Sequence, residues 1–138
     1  IQAKDPAYGV GEFIYLKGIG STIVGSIVRY DDSFTTALNT SALTEAIPLA
    51  VAMSVNVASQ YGWYQISGLA QVAKATSTSF ADGAGIGSAS GLAIAVSTNV
   101  QIQGAIVYAV ASAVSGTAPD LVGVAINRPH DIATAVAA

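Results

Sequence analysis

His130 is the only histidine of the chain, and it stands between Pro129 and Asp131. A Ser-His-Asp hydrolase would need it as general base, with a serine brought to it by the fold. The nucleophile-elbow pattern is missing, because Gly87–Gly91 reads GSASG with Ala89 where the serine belongs. The same stretch contains Gly85-Ile86-Gly87, but the third glycine of a dinucleotide fingerprint comes one place late. No βαβ unit with an acidic residue about 20 positions on follows it. Asp31, Asp32 and Glu45 match no calcium-loop spacing, and paired aspartates between β-favouring runs are turn formers. Nothing in the sequence positions a carboxylate pair for glycoside hydrolysis. The absence of cysteine removes thiolate chemistry, disulfides and cysteine-based zinc sites together. Asn39-Thr40-Ser41 has the form of a glycosylation sequon. Trp63, Tyr61 and Tyr64 are the one aromatic cluster that could stack on a sugar. Alternation puts Tyr64 on the face opposite the other two, which favours a core or interface cluster. The expectation is a non-enzyme with no catalytic residue, no cofactor and no metal.

Composition points the same way. The chain has 138 residues, enough for one domain with a buried core. Only 9% of the residues are charged and 52% are hydrophobic, against a usual charged share of about 25%. A free monomer of this size normally carries a charged skin, so an assembled protein is expected. Five basic residues and a net charge of −3 argue against nucleic acid as a partner. No charge occurs between Asp82 and Asp120, yet polar residues interrupt the interval before an apolar run of about 20 residues is reached. No membrane segment is expected. The chain opens with Ile1 and carries no secretory signal pattern, so residues are expected to precede it.

The elements that would position these residues are strands. Glu12–Lys17 (EFIYLK) alternates Phe13 and Tyr15 against Ile14 and Leu16, and Gly18 and Gly20 stop it. Ile23–Asp31 and Phe34–Leu38 flank a turn at Asp31-Asp32-Ser33. Asn39–Ala46 reads as a loop or one helical turn. From Ile47 to Val55, Ile47, Leu49, Val51, Met53 and Val55 share a large apolar face, with Pro48, Ala50, Ala52 and Ser54 opposite. Leu92–Ser97 repeats the pattern with Leu92, Ile94 and Val96 against Ala93, Ala95 and Ser97. Gly104–Val114 sets Ile106, Tyr108 and Val110 against Ala105, Ala109 and Ala111, with Val107 out of step. Its four-residue spacing of Ile102, Ile106, Val110 and Val114 also fits a helix, and its Val, Ile and Tyr content favours a strand. The large faces are expected inside. The flat Ala and Ser faces are expected to meet another surface.

Tyr61–Lys74 is the longest alternation, with Tyr64, Ile66, Ala70 and Val72 inward and Trp63, Gln65, Ser67 and Gln71 outward. Ala81-Asp82-Gly83 is a turn, Gly83–Gly91 a flexible loop and Ser115–Asp120 another turn. Leu121–Arg128 turns Val122, Val124 and Ile126 inward and ends at Pro129. The remaining tail could form one helical turn capped by Asp131. Seven or more short strands with regular turns predict a mainly β, single antiparallel β-barrel or sandwich domain with at most one short helix. There is no internal repeat and no second domain. Residues 1–10 read as an extended N-terminal arm, 11–129 as the β domain and 130–138 as a C-terminal tail.

Three blocks carry a family resemblance in order along nearly the whole chain. They are GEFIYLKG at Gly11–Gly18, AVAMS at Ala50–Ser54 with ASQYGWYQISG at Ala58–Gly68, and VAINRP at Val124–Pro129. Together they resemble the capsid decoration, or cement, proteins of tailed bacterial and cyanobacterial viruses; QYGWYQISG is the most specific part. The resemblance implies a β-tulip-like domain on the outer surface of the virion, bound to the major capsid protein and to copies of itself as a homotrimer or dimer. It also implies strand addition by a terminal arm. Ile1, Gln2, Lys4, Pro6 and Tyr8 of the arm, with Tyr61 and Trp63, are the candidate interface. A tail-tube or head-completion protein and a glycan-binding module are the alternatives.

Overall fold

The computed structural model describes residues 1–5, 9–40, 46–75, 78–96, 100–108 and 121–131. Ten strands and no helix occur among the described residues, and every ladder between named strands is antiparallel. The mainly β, antiparallel class follows directly from the chain's β-branched and aromatic runs punctuated by glycine. The expected helical turns at Asn39–Ala46 and after Asp131 fall mostly outside the described residues.

Five strands make the first unit: β2 (Gly9–Lys17), β3 (Ile27–Tyr30), β4 (Thr36–Leu38), β5 (Leu49–Ala52) and β6 (Tyr61–Ala73), hydrogen-bonded in the order β2-β6-β5-β3-β4. The run curls until β4 returns to the end of β2. There Lys17 bridges Thr35, Lys17 N donates to Phe34 O at 2.8 Å, and Thr36 Oγ1 donates to Lys17 O at 2.9 Å. Inside the ring lie Leu16, Val28, Ala50, Ala52, Tyr64 and Ile66, with Ile14, Tyr30 and Leu38 against them. All five strands contribute to this cluster, as a small barrel interior requires. Tyr64 is fully buried, and its hydroxyl accepts a hydrogen bond from Asn56 Nδ2 at 2.7 Å. Asn56 leaves no room beside it: a Cβ on Gly62 would sit 2.5 Å from Asn56 Nδ2.

The second unit packs on the outside of β3 and β5. It comprises the latter half of β6, the hairpin of β7 (Gly87–Ala89) and β8 (Leu92–Ile94), β9 (Ile102–Val107) and β10 (Leu121–Asp131). Ile27, Leu49 and Val51 face it, joining Ala70, Val72, Ile86, Ala93, Val107, Val122, Val124 and Ile126 in one core. β10 pairs with β6 from Leu121↔Ala73 to Asn127↔Ser67, and along its other edge with β9 at Val124–Ile126 and again at His130 and Asp131. Gly68 separates the two halves of β6: its φ is +103°, and a Cβ there would lie 2.6 Å from the Val10 carbonyl. Only glycine fits that position.

The arm is extended but not free. Gln2–Asp5 form β1, paired with β2 from Gln2↔Glu12 to Asp5↔Gly9. At the other end, β10 runs through Pro129 to Asp131, where a strand end and a tail boundary were expected. Pro129 is tolerated because the ladder to β9 shifts register between Ile126 and His130, with Arg128 at φ 45°, so no ladder donor is required of it. The expected loop at Gly83–Gly91 holds β7, and Ser90-Gly91 at φ 50° and 78° form a two-residue hairpin turn. The expected strand from Ile23 starts only at Ile27, because Ile23–Ser26 turns back through Gly25 at φ 86°.

The small-residue faces are the largest correction. Ala50, Ala52, Ala93 and Ala105 are all buried, while Met53, Val55, Val96, Ile106 and Tyr108 are exposed. Ser54, Ala95 and Ala125 are exposed as expected, and Ser97, Ala109 and Ala111 lie outside the described residues. β5 is covered on both sides, its Leu49 and Val51 by the second unit and its Ala50 and Ala52 by the ring interior. A strand buried on both faces uses small residues where space is short, so Ala opposite Val does not mark the outside. In β9, Gly104 at φ 75° bulges against Asn127, whose carbonyl would lie 2.7 Å from a Cβ there. That irregularity turns Ala105 and Val107 inward and leaves Ile106 and Tyr108 outside.

Candidate functional site

The feature that the core does not explain is an exposed aromatic ladder on the outer face of β2 and β6. Register pairs Tyr15 with Trp63 and Lys17 with Tyr61. Because side chains of paired residues stand on one face, Tyr15 reaches both partners. Its ring stacks on Tyr61 at 5.6 Å and 21°, and meets Trp63 at 5.0 Å and 52°. All three rings remain about half exposed, at 51% for Tyr15, 55% for Tyr61 and 45% for Trp63. Tyr64, the next residue, points into the ring interior. The two readings of the cluster thus divide: Tyr64 is core, and the other two are surface.

The ladder continues into an open groove of about 290 Å³. Phe13 pairs with Gln65 one step beyond Tyr15 and Trp63, and Lys4, Val10, Met53 and Leu69 complete much of the lining. Gln65 forms a fixed polar floor, its Nε2 donating to Ser67 O at 3.0 Å and Leu69 O at 3.2 Å. Met53 is tied to the ladder by its N–H, which donates to Trp63 O at 3.2 Å. Val10, Val24 and Met53 are exposed, so apolar surface runs from Tyr61 to the β1–β2 hairpin. Contiguous surface of this kind marks binding sites more often than solitary exposed apolar residues do.

Of the predicted interface residues, Tyr61 and Trp63 form two thirds of the ladder, and Lys4 lines the groove. Ile1 is exposed and exchanges hydrogen bonds with Phe13 across the hairpin, which sets it on the face of Phe13. Gln2 pairs with Glu12. Pro6 and Tyr8 lie outside the described residues. Tyr15 was missed as a site residue. Its signal was present in the outward alternation with Phe13, but the pairing of β2 with β6 was needed to bring it to Trp63.

The remaining chemistry candidates stay apart. His130 is exposed with Nδ1 3.4 Å from Arg128 O, whereas Asp131 turns inward and is buried. Burial pushes the Asp131 carboxyl above its ordinary pKa, opposed by a hydrogen bond from Asn39 and by the charges of Arg29 and His130. Burial likewise raises the Tyr30 hydroxyl, opposed by Arg128. Asp31 Oδ1 accepts from the backbone of Ser33 at 3.0 Å and Thr35 at 3.1 Å, the turn role expected of it. Glu45 lies outside the described residues. Asn39 is fully buried, which closes it to glycosylation in the folded chain. Among the described residues no group of three or more His, Asp or Glu is arranged to hold a metal, and no helix is long and apolar enough to cross a membrane.

Comparison with known protein families, with curated proteins and with solved structures finds no match for this chain.

Proposed function

We propose that this chain is a structural protein of a virus particle, one that binds the outer surface of a tailed-phage head and cements neighbouring major capsid protein subunits. The observation that carries the reading is the exposed run of Tyr61, Tyr15 and Trp63 into the Phe13–Met53 groove. Aromatic anchors beside a pocket are what protein interfaces are built on. The ordered sequence blocks that resemble cement proteins supply the identity of the partner, and the low charge content agrees with a surface covered in an assembly. The arm contributes as the β1 edge of the sheet and not as a loose strap. Of the small-residue faces, first expected to meet another surface, Ala50, Ala52, Ala93 and Ala105 lie in the protein's own core, whereas Ser54, Ala95 and Ala125 stay exposed. Cementing needs only modest contacts, because simultaneous engagement of several subunits multiplies their effect.

Purified particles test this reading through stoichiometry. Decoration requires a copy number on the scale of the major capsid protein's. A few copies per particle would assign the chain to the tail tube or head completion instead. Trp63→Ala and Tyr15→Ala should lower occupancy on the head and the temperature at which the genome is released.

The same exposed rings favour a glycan-binding module as the second reading. Glycan-array binding that Trp63→Ala abolishes, with capsid occupancy unchanged, would select it.

A further inference from the structure

The last residue of β10 and the first residue after β4 meet in a buried polar contact that is one hydrogen short. Asn39 is fully buried and Asp131 is 8% exposed. Asn39 Nδ2 donates to Asp131 Oδ1 at 3.3 Å. The second oxygen of each side chain, Asn39 Oδ1 and Asp131 Oδ2, is buried without a partner among the described residues. An ionised carboxylate beside a carboxamide leaves two acceptors out of water with nothing to accept, which is costly. One proton satisfies both, since a carboxylic acid is a donor as well as an acceptor.

We propose that Asn39 and Asp131 form a proton-dependent clasp, in which a proton carried on Asp131 Oδ2 is donated to Asn39 Oδ1 and fastens the end of β4 to the end of β10. The ring so formed has two hydrogen bonds, amide to acid and acid to amide. Around it the backbone is densely tied. Asn39 N donates to Ile27 O at 3.0 Å and Asn39 O accepts from Gly91 N at 2.9 Å, while Asp131 N donates to Ile47 O at 3.1 Å. The clasp therefore joins β3, β4, the β7–β8 turn, the approach to β5 and β10 at one point.

Desolvation raises the carboxyl's pKa, as protonation of the pair requires. Against it act the Asn39 hydrogen bond, Arg29 from β3 and the neighbouring His130. The sign of the pH effect follows. With the folded pKa above the unfolded one, the native chain holds more protons between the two values. Stability is then full below the ordinary carboxylate range and falls as pH rises through the folded value. Ordinary surface-paired carboxylates do the reverse. The clasp does not rest on the capsid reading.

Urea unfolding of the full chain from about pH 4 to about pH 8, compared with Asp131→Asn, tests it. The amide of the variant supplies the missing donor permanently. Relative to the variant, the native chain's folded-to-unfolded ratio should fall by up to about tenfold per pH unit through the window, and the variant should be at least as stable at neutral pH. The carboxyl carbon shift of Asp131, followed by NMR in the native chain, should titrate above the usual carboxylate range. Titration at or below that range overturns the clasp even if the variant does not fold. A variant less stable at every pH, with an unchanged slope, also overturns it, because an ionised carboxylate bridged by water would behave so.

Discussion

The two halves of β6 belong to one strand with one alternation and have opposite fates. From Tyr61 to Ser67 the strand pairs with β2, buries Tyr64 and Ile66 in the ring, and shows Tyr61 and Trp63 to solvent. From Gly68 to Ala73 it pairs with β10 and buries Ala70, Val72 and Ala73, with Leu69 and Gln71 only partly open. What differs is the cover. The first half has a partner for its inner face alone, whereas the second contributes to the core shared with β9, β10 and the β7–β8 hairpin. The half that keeps large aromatics without a cover is the half that presents contiguous apolar surface to solvent.

The sharpest way to break this division is at its boundary. Gly68→Val puts a branched side chain at φ +103° against the Val10 carbonyl. It should cost about 3 kcal/mol or more in urea unfolding, by disrupting β2 and β10 together. Val72→Ala, in the covered half, should cost about 2 kcal/mol through the cavity it leaves. Within the ring, Tyr64→Phe should cost about 1–2 kcal/mol, because Asn56 Nδ2 loses its acceptor. Tyr61→Phe should change stability by less than about 0.5 kcal/mol, which separates the core tyrosine from the surface one three residues away.

Trp63→Ala sharpens the comparison from the other side. Its effect on stability should stay within about 1 kcal/mol, since the ring is half exposed, while under the proposed capsid-binding role association with particles should drop severely. An equal loss of both would mean that the ladder is structural. A small effect is also expected where β2 and β10 flank the boundary. The Arg128 guanidinium lies 2.8 Å from Glu12 Oε2 but is largely exposed, so Arg128→Ala should cost under about 1 kcal/mol, fading with added salt.

Residue type and alternation were enough to read the strands β2, β6 and β10 and the inward faces of β6 and β10, because each has one covered face of Val, Ile, Leu or Tyr. Gln65, read as outward, is buried under the groove. They were also enough to read the turns at Asp31 and Gly83, whose side chain or positive φ acts locally. The alternation of Ala with larger residues in β5, β8 and β9 could not be read in the same way. Hydrophobicity distinguishes inside from outside only when one side is wet, and these alanines sit where strands approach closely. The aromatic site was half legible: Tyr61 and Trp63 share a face by period two, but Tyr15 is 46 positions from Tyr61 in the chain. The Asn39–Asp131 contact spans 92 positions and left no local trace. Sequence by itself determined which residues prefer extended backbone and where the chain must turn, since those are short-range steric preferences. Only the tertiary structure decided which faces are covered and which distant side chains meet, because both depend on strand register and on the curl that closes β4 onto β2.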